Sequence, residues 1–333
     1  MWSEALAALL LAVAVPLPVE AVLADGDQTS VVVDLSAAGG PAPGSAAVTI
    51  DGERRTVPVV PLMSAGLAVT IVVDTSATDV RAVPAWLSAG ARFILEAPTG
   101  TRATVIGDSA PATVIAPPQQ DPTGIVAALD AVEPKGPRDT AQALSLAAAQ
   151  FPDVPAGRKI AVVYTGAADA GGLSAGDLAE KFKAAGVILV VATTADASPY
   201  WTAAAEATGG FFAPAGNPAV VPALDQVETT LSSRYLVTFP TPLDLPTTVP
   251  VQVTTPDLTL TADVTLAAPA AAPPADGPDR LLIALAAATA GVVAAGLLVT
   301  WLLLRRSRRR RRPPPIVIAH GRATVPGPPS GEA

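Results

Sequence analysis

The chain has 333 residues, half of them hydrophobic and only 4% aromatic, with 35 Pro and 26 Gly. It contains no Cys, which excludes disulfides, thiolate metal sites and a Cys nucleophile, and its single histidine is His320. The main body therefore lacks the residues for Ser-His-Asp catalysis or His-ligated zinc. The net charge is −8, although residues 305–333 carry eight Arg and one Glu. The remaining body is thus strongly acidic, which argues against nucleic-acid binding, because phosphates require a basic surface.

Residues 1–24 are predicted to be a secretory signal peptide. The apolar run at residues 5–15 is too short to span a bilayer, and a candidate cleavage position precedes Asp25. This signal is atypical because it holds Glu4 and no Lys or Arg before the apolar run. The alternative interpretation is an uncleaved N-terminus that anchors the chain to a membrane.

The segment 25–63 has the pattern of β-structure. Residues 31–35 form a β-branched run that predicts a strand. The runs 47–50 and 54–60 flank Asp51-Gly52, a pair that favours a hairpin turn because it tolerates positive φ.

Residues 64–240 alternate between predicted strands and helices. Continuous apolar runs at 67–73 and 187–192 are typical of strands buried on both faces, and apolar residues recur at helical spacing from Val80 onward. This alternation predicts an α/β fold, namely a doubly wound, mostly parallel sheet with helices on both faces. Residues 235–239 are predicted to be the last strand of this domain.

The β pattern returns at 241–266. We expect the segments 25–63 and 241–266 to pack together as a small β domain that flanks the α/β domain, with the α/β domain inserted between its halves. Residues 267–279 are rich in Pro and Ala and predict an extended linker.

Residues 280–304 are predicted to form one C-terminal transmembrane helix. The run 281–304 has 24 residues without a charge, enough to cross a hydrocarbon core of about 30 Å. The Arg-rich side that follows is expected in the cytoplasm. The sequence therefore predicts a single-pass protein of the cell membrane, in which residues 25–279 are extracytoplasmic and 305–333 form a basic, disordered cytoplasmic tail.

Candidate functional residues follow the first buried strand of the α/β domain. Asp74, Ser76 and Thr78 lie where a strand ends, and ligands of open α/β sheets bind at the carboxyl ends of strands. Thr140 supplies another hydroxyl just before a predicted helix. Carboxylate and hydroxyl oxygens suit a hard cation such as Mg²⁺. The alternative is that these side chains only cap helices and bond loop amides.

The chain from about residue 67 to 239 resembles the von Willebrand factor A (vWA) family. The residues 74–78, Asp-Thr-Ser-Ala-Thr, resemble the family's metal-ion-dependent adhesion motif D-x-S-x-S, with Thr in place of the second Ser. Thr140 resembles the family's loop Thr. Residues 203–210 resemble a helix and Thr-Gly-Gly turn late in the fold, and residues 234–237 resemble its closing strand.

The motif departs from the family pattern after the strand 159–164. Family members often continue with Thr-Asp-Gly, whose Asp completes the metal site, whereas this chain has Thr165-Gly166. Asp169 is a further candidate for that role. The resemblance thus implies a degenerate site for Mg²⁺ or another divalent cation, with the ligands Asp74, Ser76, Thr78 and Thr140 and with Asp169 as the additional candidate.

The resemblance implies binding of another protein. The lack of Cys, of a histidine in the main body and of an acid–base carboxylate cluster in the sequence predicts that the chain is not an enzyme. In the family, a bound cation typically leaves one coordination position for an acidic residue of the partner. The expected function is that of a membrane-anchored, extracytoplasmic protein-binding chain. The alternative is a metal-independent structural or assembly subunit of a membrane complex.

Overall fold

The computed structural model describes residues 15–38, 45–219 and 221–268, without the side chains of residues 221–224. The described strands are β1 (Val15–Pro16), β2 (Val19–Asp25), β3 (Gln28–Asp34), β4 (Ser45–Ile50), β5 (Glu53–Pro61), β6 (Ala68–Asp74), β7 (Arg102–Asp108), β8 (Thr113–Gln119), β9 (Lys159–Thr165), β10 (Val187–Thr193), β11 (Phe211–Pro214), β12 (Arg234–Pro240), β13 (Thr247–Thr254) and β14 (Thr259–Leu266). The α-helices are α1 (Val83–Glu96), α2 (Pro122–Asp130), α3 (Thr140–Ala148), α4 (Ala175–Ala184), α5 (Pro199–Glu206) and α6 (Val221–Ser232).

The first sheet has six strands in the order β11-β10-β9-β6-β7-β8. All neighbours are parallel except β8, which runs antiparallel to β7. Every residue of β6, β9 and β10 is buried, because helices cover both faces of the sheet. This arrangement confirms the predicted α/β class with a doubly wound, mostly parallel sheet.

The two faces of this sheet have separate apolar cores. On one face, α1 contributes Trp86 and Phe93, and α2 contributes Leu129. On the other face, α4 and α5 contribute Phe182 and Trp201. Each helix buries one apolar stripe at helical spacing, which is why the helical periodicity was visible in the sequence.

The second sheet has eight strands in the order β1-β14-β13-β4-β5-β12-β3-β2. It draws strands from both ends of the described chain, and the α/β unit is inserted between β5 and β12. Alternate residues of these strands face a third core, in which Val31, Val48 and Val251 are fully or almost fully buried. The early hairpin and the late strands therefore share one β unit.

Strand β12 differs from the sequence-based expectation. Residues 235–239 were predicted to close the parallel sheet, and residues 234–237 to match a closing strand there. Instead, β12 lies in the eight-stranded sheet, antiparallel to both β3 and β5. Leu236 packs into the core of the α/β unit while Val237 and Phe239 face the β core. A strand buried on both faces gives the same apolar pattern in either kind of sheet.

Strand β2 also differs from expectation, because the predicted signal-peptide boundary at residue 24 falls inside it. Ala21 and Leu23 are buried at alternate positions and pack into the core of the α/β unit. Glu20 forms an ion pair with Arg234, at 2.6 Å between Oε2 and Nη1. The folded body thus includes residues 15–24, of which residues 19–24 belong to an edge strand with period-two burial.

The predicted transmembrane helix at 280–304, the basic tail at 305–333 and all but the first two residues of the linker lie outside the described residues, as do residues 1–14. Among the helices of the described part of the chain, none combines the length and hydropathy of a membrane span.

Candidate functional site

The Asp74 carboxylate lies at the carboxyl edge of the six-stranded sheet and is fully buried. Its Oδ1 accepts hydrogen bonds from the Ser76 hydroxyl at 2.6 Å and from the Ser76 amide at 3.0 Å. Its Oδ2 accepts from Arg138 Nε at 2.6 Å and from the Gly166 amide at 3.3 Å. Both oxygens of this carboxylate are therefore engaged by groups of the chain itself.

A second buried carboxylate, Asp108, lies next to Asp74. The two residues end the parallel strands β6 and β7 and are direct partners in the register, and Asp108 is 1% exposed. The Thr140 hydroxyl donates to Asp108 Oδ2 at 2.6 Å, and the Asp139 amide donates to Oδ1 at 2.8 Å. Burial raises the pKa of the Asp108 carboxyl, and the nearby Asp74 charge adds to this rise.

Backbone hydrogen bonds join the loops around these carboxylates. The Ala77 amide donates to Gly136 O at 2.9 Å, and the Lys135 amide donates to Thr75 O at 2.8 Å. The Ser76 hydroxyl also caps the short 3₁₀ turn Ala77–Asp79 by accepting from the Thr78 amide. These bonds hold the loop after β6 against the loop before α3.

The predicted metal ligands divide into four sets in the structure. Asp74 and Ser76 are in contact, whereas the Thr140 hydroxyl binds Asp108. Thr78 is exposed, and its amide is the group that bonds Ser76. Asp169 is exposed and accepts from the Gly171 amide in its own loop at 2.8 Å. Asp169 therefore binds within its own turn.

The donor set does not fit a divalent cation while Arg138 holds its position. A cation needs carboxylate oxygens with free lone pairs, but a guanidinium already contacts Asp74 at 2.6 Å. Within the described part of the chain, no group of three or more His, Cys, Asp or Glu side chains is arranged to hold a metal. The buried negative charge of Asp74 is instead compensated by an arginine of the chain.

Sequence reasoning missed two residues of this cluster. Asp108 is the last residue of the observed strand β7, so its position at the same sheet edge follows the rule that located Asp74. Arg138 stands two residues before Thr140, in a loop from which only the hydroxyl was selected. Its pairing with Asp74 spans 64 residues of sequence and has no local signal.

No family model matches the chain, and no curated protein matches it in sequence. Among solved structures, it is similar to proximal thread matrix protein 1 from the mussel byssus, with 16% identity, 54% of this chain and 50% of that chain covered, and a TM-score of 0.46. The chain thus spans about half the length of the mussel protein. A von Willebrand factor type A protein from Catenulispora acidiphila has 12% identity, with 74% and 70% covered and a TM-score of 0.46.

An aerotolerance-related membrane protein from Bacteroides fragilis has 15% identity, with 50% of this chain and 98% of that chain covered and a TM-score of 0.40. The similarity to a von Willebrand factor type A structure agrees with the resemblance in the sequence. One structure of the mussel protein has zinc in its metal-ion-dependent adhesion motif. At these identities and TM-scores the likeness says nothing of the activity.

Proposed function

We propose that this chain is a membrane-anchored, non-enzymatic protein-binding module that uses the carboxyl edge of its vWA-like unit as the interface. The observation that carries the proposal is an apolar groove of about 560 Å³ between α1 and α2. Nine of its eleven lining residues are apolar, among them Val80, Leu87, Val126 and Pro134. Contiguous apolar grooves on a surface favour contact with another protein, because burial removes their area from water.

The groove begins beside the Asp74 loop. Val80 directly follows the 3₁₀ turn Ala77–Asp79 and is 50% exposed, although it is a large aliphatic residue. The hydrogen bonds of Asp74 and Ser76 fix the position of that turn. The bonds of Asp74 and Ser76 therefore fix the turn that precedes Val80, at one end of the groove. A partner would contact Val80 without touching the buried carboxylates.

A matched pair of substitutions tests this interface. Val80→Asp places a charge at the mouth of the groove, whereas Val114→Asp places the same charge on the edge strand β8, where Val114 is 41% exposed. Tagged full-length chains are recovered from native membranes and the co-purified proteins are quantified. We expect Val80→Asp to lower recovery of a specific partner about tenfold, as for loss of a contact of about 1.4 kcal/mol. Equal recovery with both variants would exclude the groove as the interface.

The second candidate function is a metal-bridged contact at Asp74, as the resemblance implies. It would require a partner carboxylate and a divalent cation such as Mg²⁺ at the position that the Arg138 guanidinium contacts. This mode predicts that EDTA abolishes partner recovery. The proposed metal-independent mode predicts that EDTA leaves recovery unchanged.

The proposed membrane orientation rests on the sequence alone. The uncharged run 281–304 and the Arg-rich residues after it support an extracytoplasmic body and a cytoplasmic tail. External protease on intact cells should digest the body and spare an epitope placed after residue 312. Loss of that epitope from intact cells would reverse the orientation and place the groove in the cytoplasm.

A further inference from the structure

Arg138 connects three loops at the carboxyl edge of the vWA-like unit. It belongs to the loop before α3, and its Nε donates to Asp74, the last residue of β6, where the loop after that strand begins. The same Asp74 oxygen accepts from the amide of Gly166, in the loop after β9. The guanidinium therefore lies where the carboxyl ends of neighbouring strands meet.

The charges at this edge require a cation. Asp74 and Asp108 are 0% and 1% exposed and occupy adjacent positions on β6 and β7. Two buried carboxylates side by side lose their hydration and repel each other, and a nearby positive charge offsets this cost. Arg138 supplies that charge by its ion pair with Asp74, at 2.6 Å between Nε and Oδ2.

The backbone around Gly166 is an independent sign that space is reserved for the guanidinium. A Cβ at position 166 would lie 2.7 Å from Arg138 Nη2 and 2.6 Å from Asp79 Oδ2. Real Cβ atoms do not approach other atoms so closely, so any larger residue at 166 would displace Arg138 or Asp79. The chain thus has a glycine where a side chain would compete with the arginine.

We infer that Arg138 is a built-in cation that takes the place of a divalent ion at this edge. The guanidinium holds the three loops in one arrangement without metal, so the groove beside Val80 is assembled at any divalent-ion concentration. It follows that removing the Arg138 side chain leaves Asp74 and Asp108 uncompensated and creates a site for a hard divalent cation. The hydroxyls of Ser76 and Thr140 stand beside these carboxylates as further oxygen donors.

The test uses the full chain, purified in detergent, with Mn²⁺ as the probe and electron paramagnetic resonance to count bound ions. The variants are Arg138→Ala, Arg138→Ala with Asp74→Asn, and Arg81→Ala as a control arginine that is exposed on the same edge. We expect the wild type and Arg81→Ala to bind no Mn²⁺ below about 1 mM, the weak end of protein cation sites. Arg138→Ala should bind one Mn²⁺ in the sub-millimolar range, and the double variant none.

Thermal unfolding supplies a second readout. Arg138→Ala should lower the Tm by about 5–10 °C, because one partner of a buried ion pair is lost, and Mn²⁺ should restore at least about half of that loss. EDTA should leave the wild-type Tm unchanged. Arg138→Gln, which keeps an N–H donor for Asp74 without the charge, serves if the alanine variant does not fold.

Two results would overturn the inference. One is a wild type that binds Mn²⁺ and loses stability in EDTA, which would show that the arginine does not exclude a metal. The other is a folded Arg138 variant that binds no more Mn²⁺ than the wild type. Both measurements use the chain alone, so their failure is distinguishable from failure of the proposed partner interface at Val80.

Discussion

Residues 15–24 are expected to remain in the mature protein, because they supply the edge strand β2. Leu23 is 1% exposed and packs into the core of the α/β unit, so Leu23→Ala should lower the free energy of unfolding by about 3 kcal/mol. Cleavage before Asp25 would remove this side chain, Ala21 and all of the β2 ladder to β3 except the Asp25–Gln28 pair. Such a chain would expose the core beneath β2 and would fold poorly.

The ion pair of the same strand gives a second, independent measure. The side chain of Arg234 is only 7% exposed, and its nearest carboxylate is that of Glu20. The two form an ion pair, but its geometry does not meet the criteria of a hydrogen bond. Breaking a fully buried pair costs about 3–5 kcal/mol. Glu20 is 28% exposed and Asp34 lies 3.9 Å from the same guanidinium, so we expect about 2 kcal/mol for Glu20→Gln.

Urea denaturation of the purified full-length chain measures both effects, with Glu53→Gln as the control. Glu53 is 73% exposed and pairs with Arg55 at the surface, so its replacement should change stability by less than about 0.5 kcal/mol. Mass spectrometry of the mature chain should place its N-terminus at or before Val15. A folded mature chain that begins at Asp25, or variants of Leu23 and Glu20 as stable as the control, would refute the assignment of β2 to the body.

Two further predictions concern pH and packing. Burial and the adjacent Glu96 carboxyl raise the pKa of Glu228 from 4.5 to about 7, so the folded chain binds this proton more tightly than the unfolded chain does. The resulting stabilisation is fully present below the pKa of the unfolded chain and is lost as the pH rises through about 7. Glu228→Gln should therefore flatten the pH dependence of the free energy of unfolding measured in urea. At pH of about 8 it should add about 1 kcal/mol or less of stability, since solvent screens this pair. An unchanged pH dependence would contradict the pairing of Glu228 with Glu96. Gly210→Ala should cost about 3 kcal/mol or more, because a Cβ there would lie 1.8 Å from the Leu189 carbonyl oxygen, whereas Gly176→Ala in the open part of α4 should be neutral or stabilising. Equal stability of the two alanine variants in urea would show that the backbone gives way at Gly210.

The α/β unit was predictable because its signals are local. Each central strand has seven buried residues, most of them apolar, and each helix carries one apolar stripe. Sheet membership is not a local property. The apolar strand β12 fits either sheet, and only its antiparallel pairing with β3 and β5, strands far away in sequence, decides between them.

The same distinction explains the outcome at β2. The predicted signal peptide was based on the apolar run 5–15, of which only residue 15 is among the described residues. Within β2, the alternation of Ala21 and Leu23 covers too few positions to stand out in the sequence. What fixes β2 is its ladder with β3 and the contact of Glu20 with Arg234, more than two hundred residues away. The local sequence around residue 24 therefore does not reveal β2, because the strand is defined by partners distant in sequence.

The Asp74 edge shows the limit of reasoning from a motif. The spacing of Asp74, Ser76 and Thr78 drew attention to a loop that begins at a buried carboxylate, and a buried carboxylate at the end of a strand must be compensated. The motif cannot tell which cation does so. A divalent ion and a guanidinium both satisfy buried carboxylates, and the choice between them depends on Arg138, 64 residues away, and on the space left by Gly166. By the resemblance to the vWA family, Gly166 stands where a third carboxylate would be, and the glycine also leaves room for the arginine. Arg138 and Gly166 thus both bear on the charge at this edge through contacts distant in sequence, which is why neither residue could be interpreted from the sequence alone.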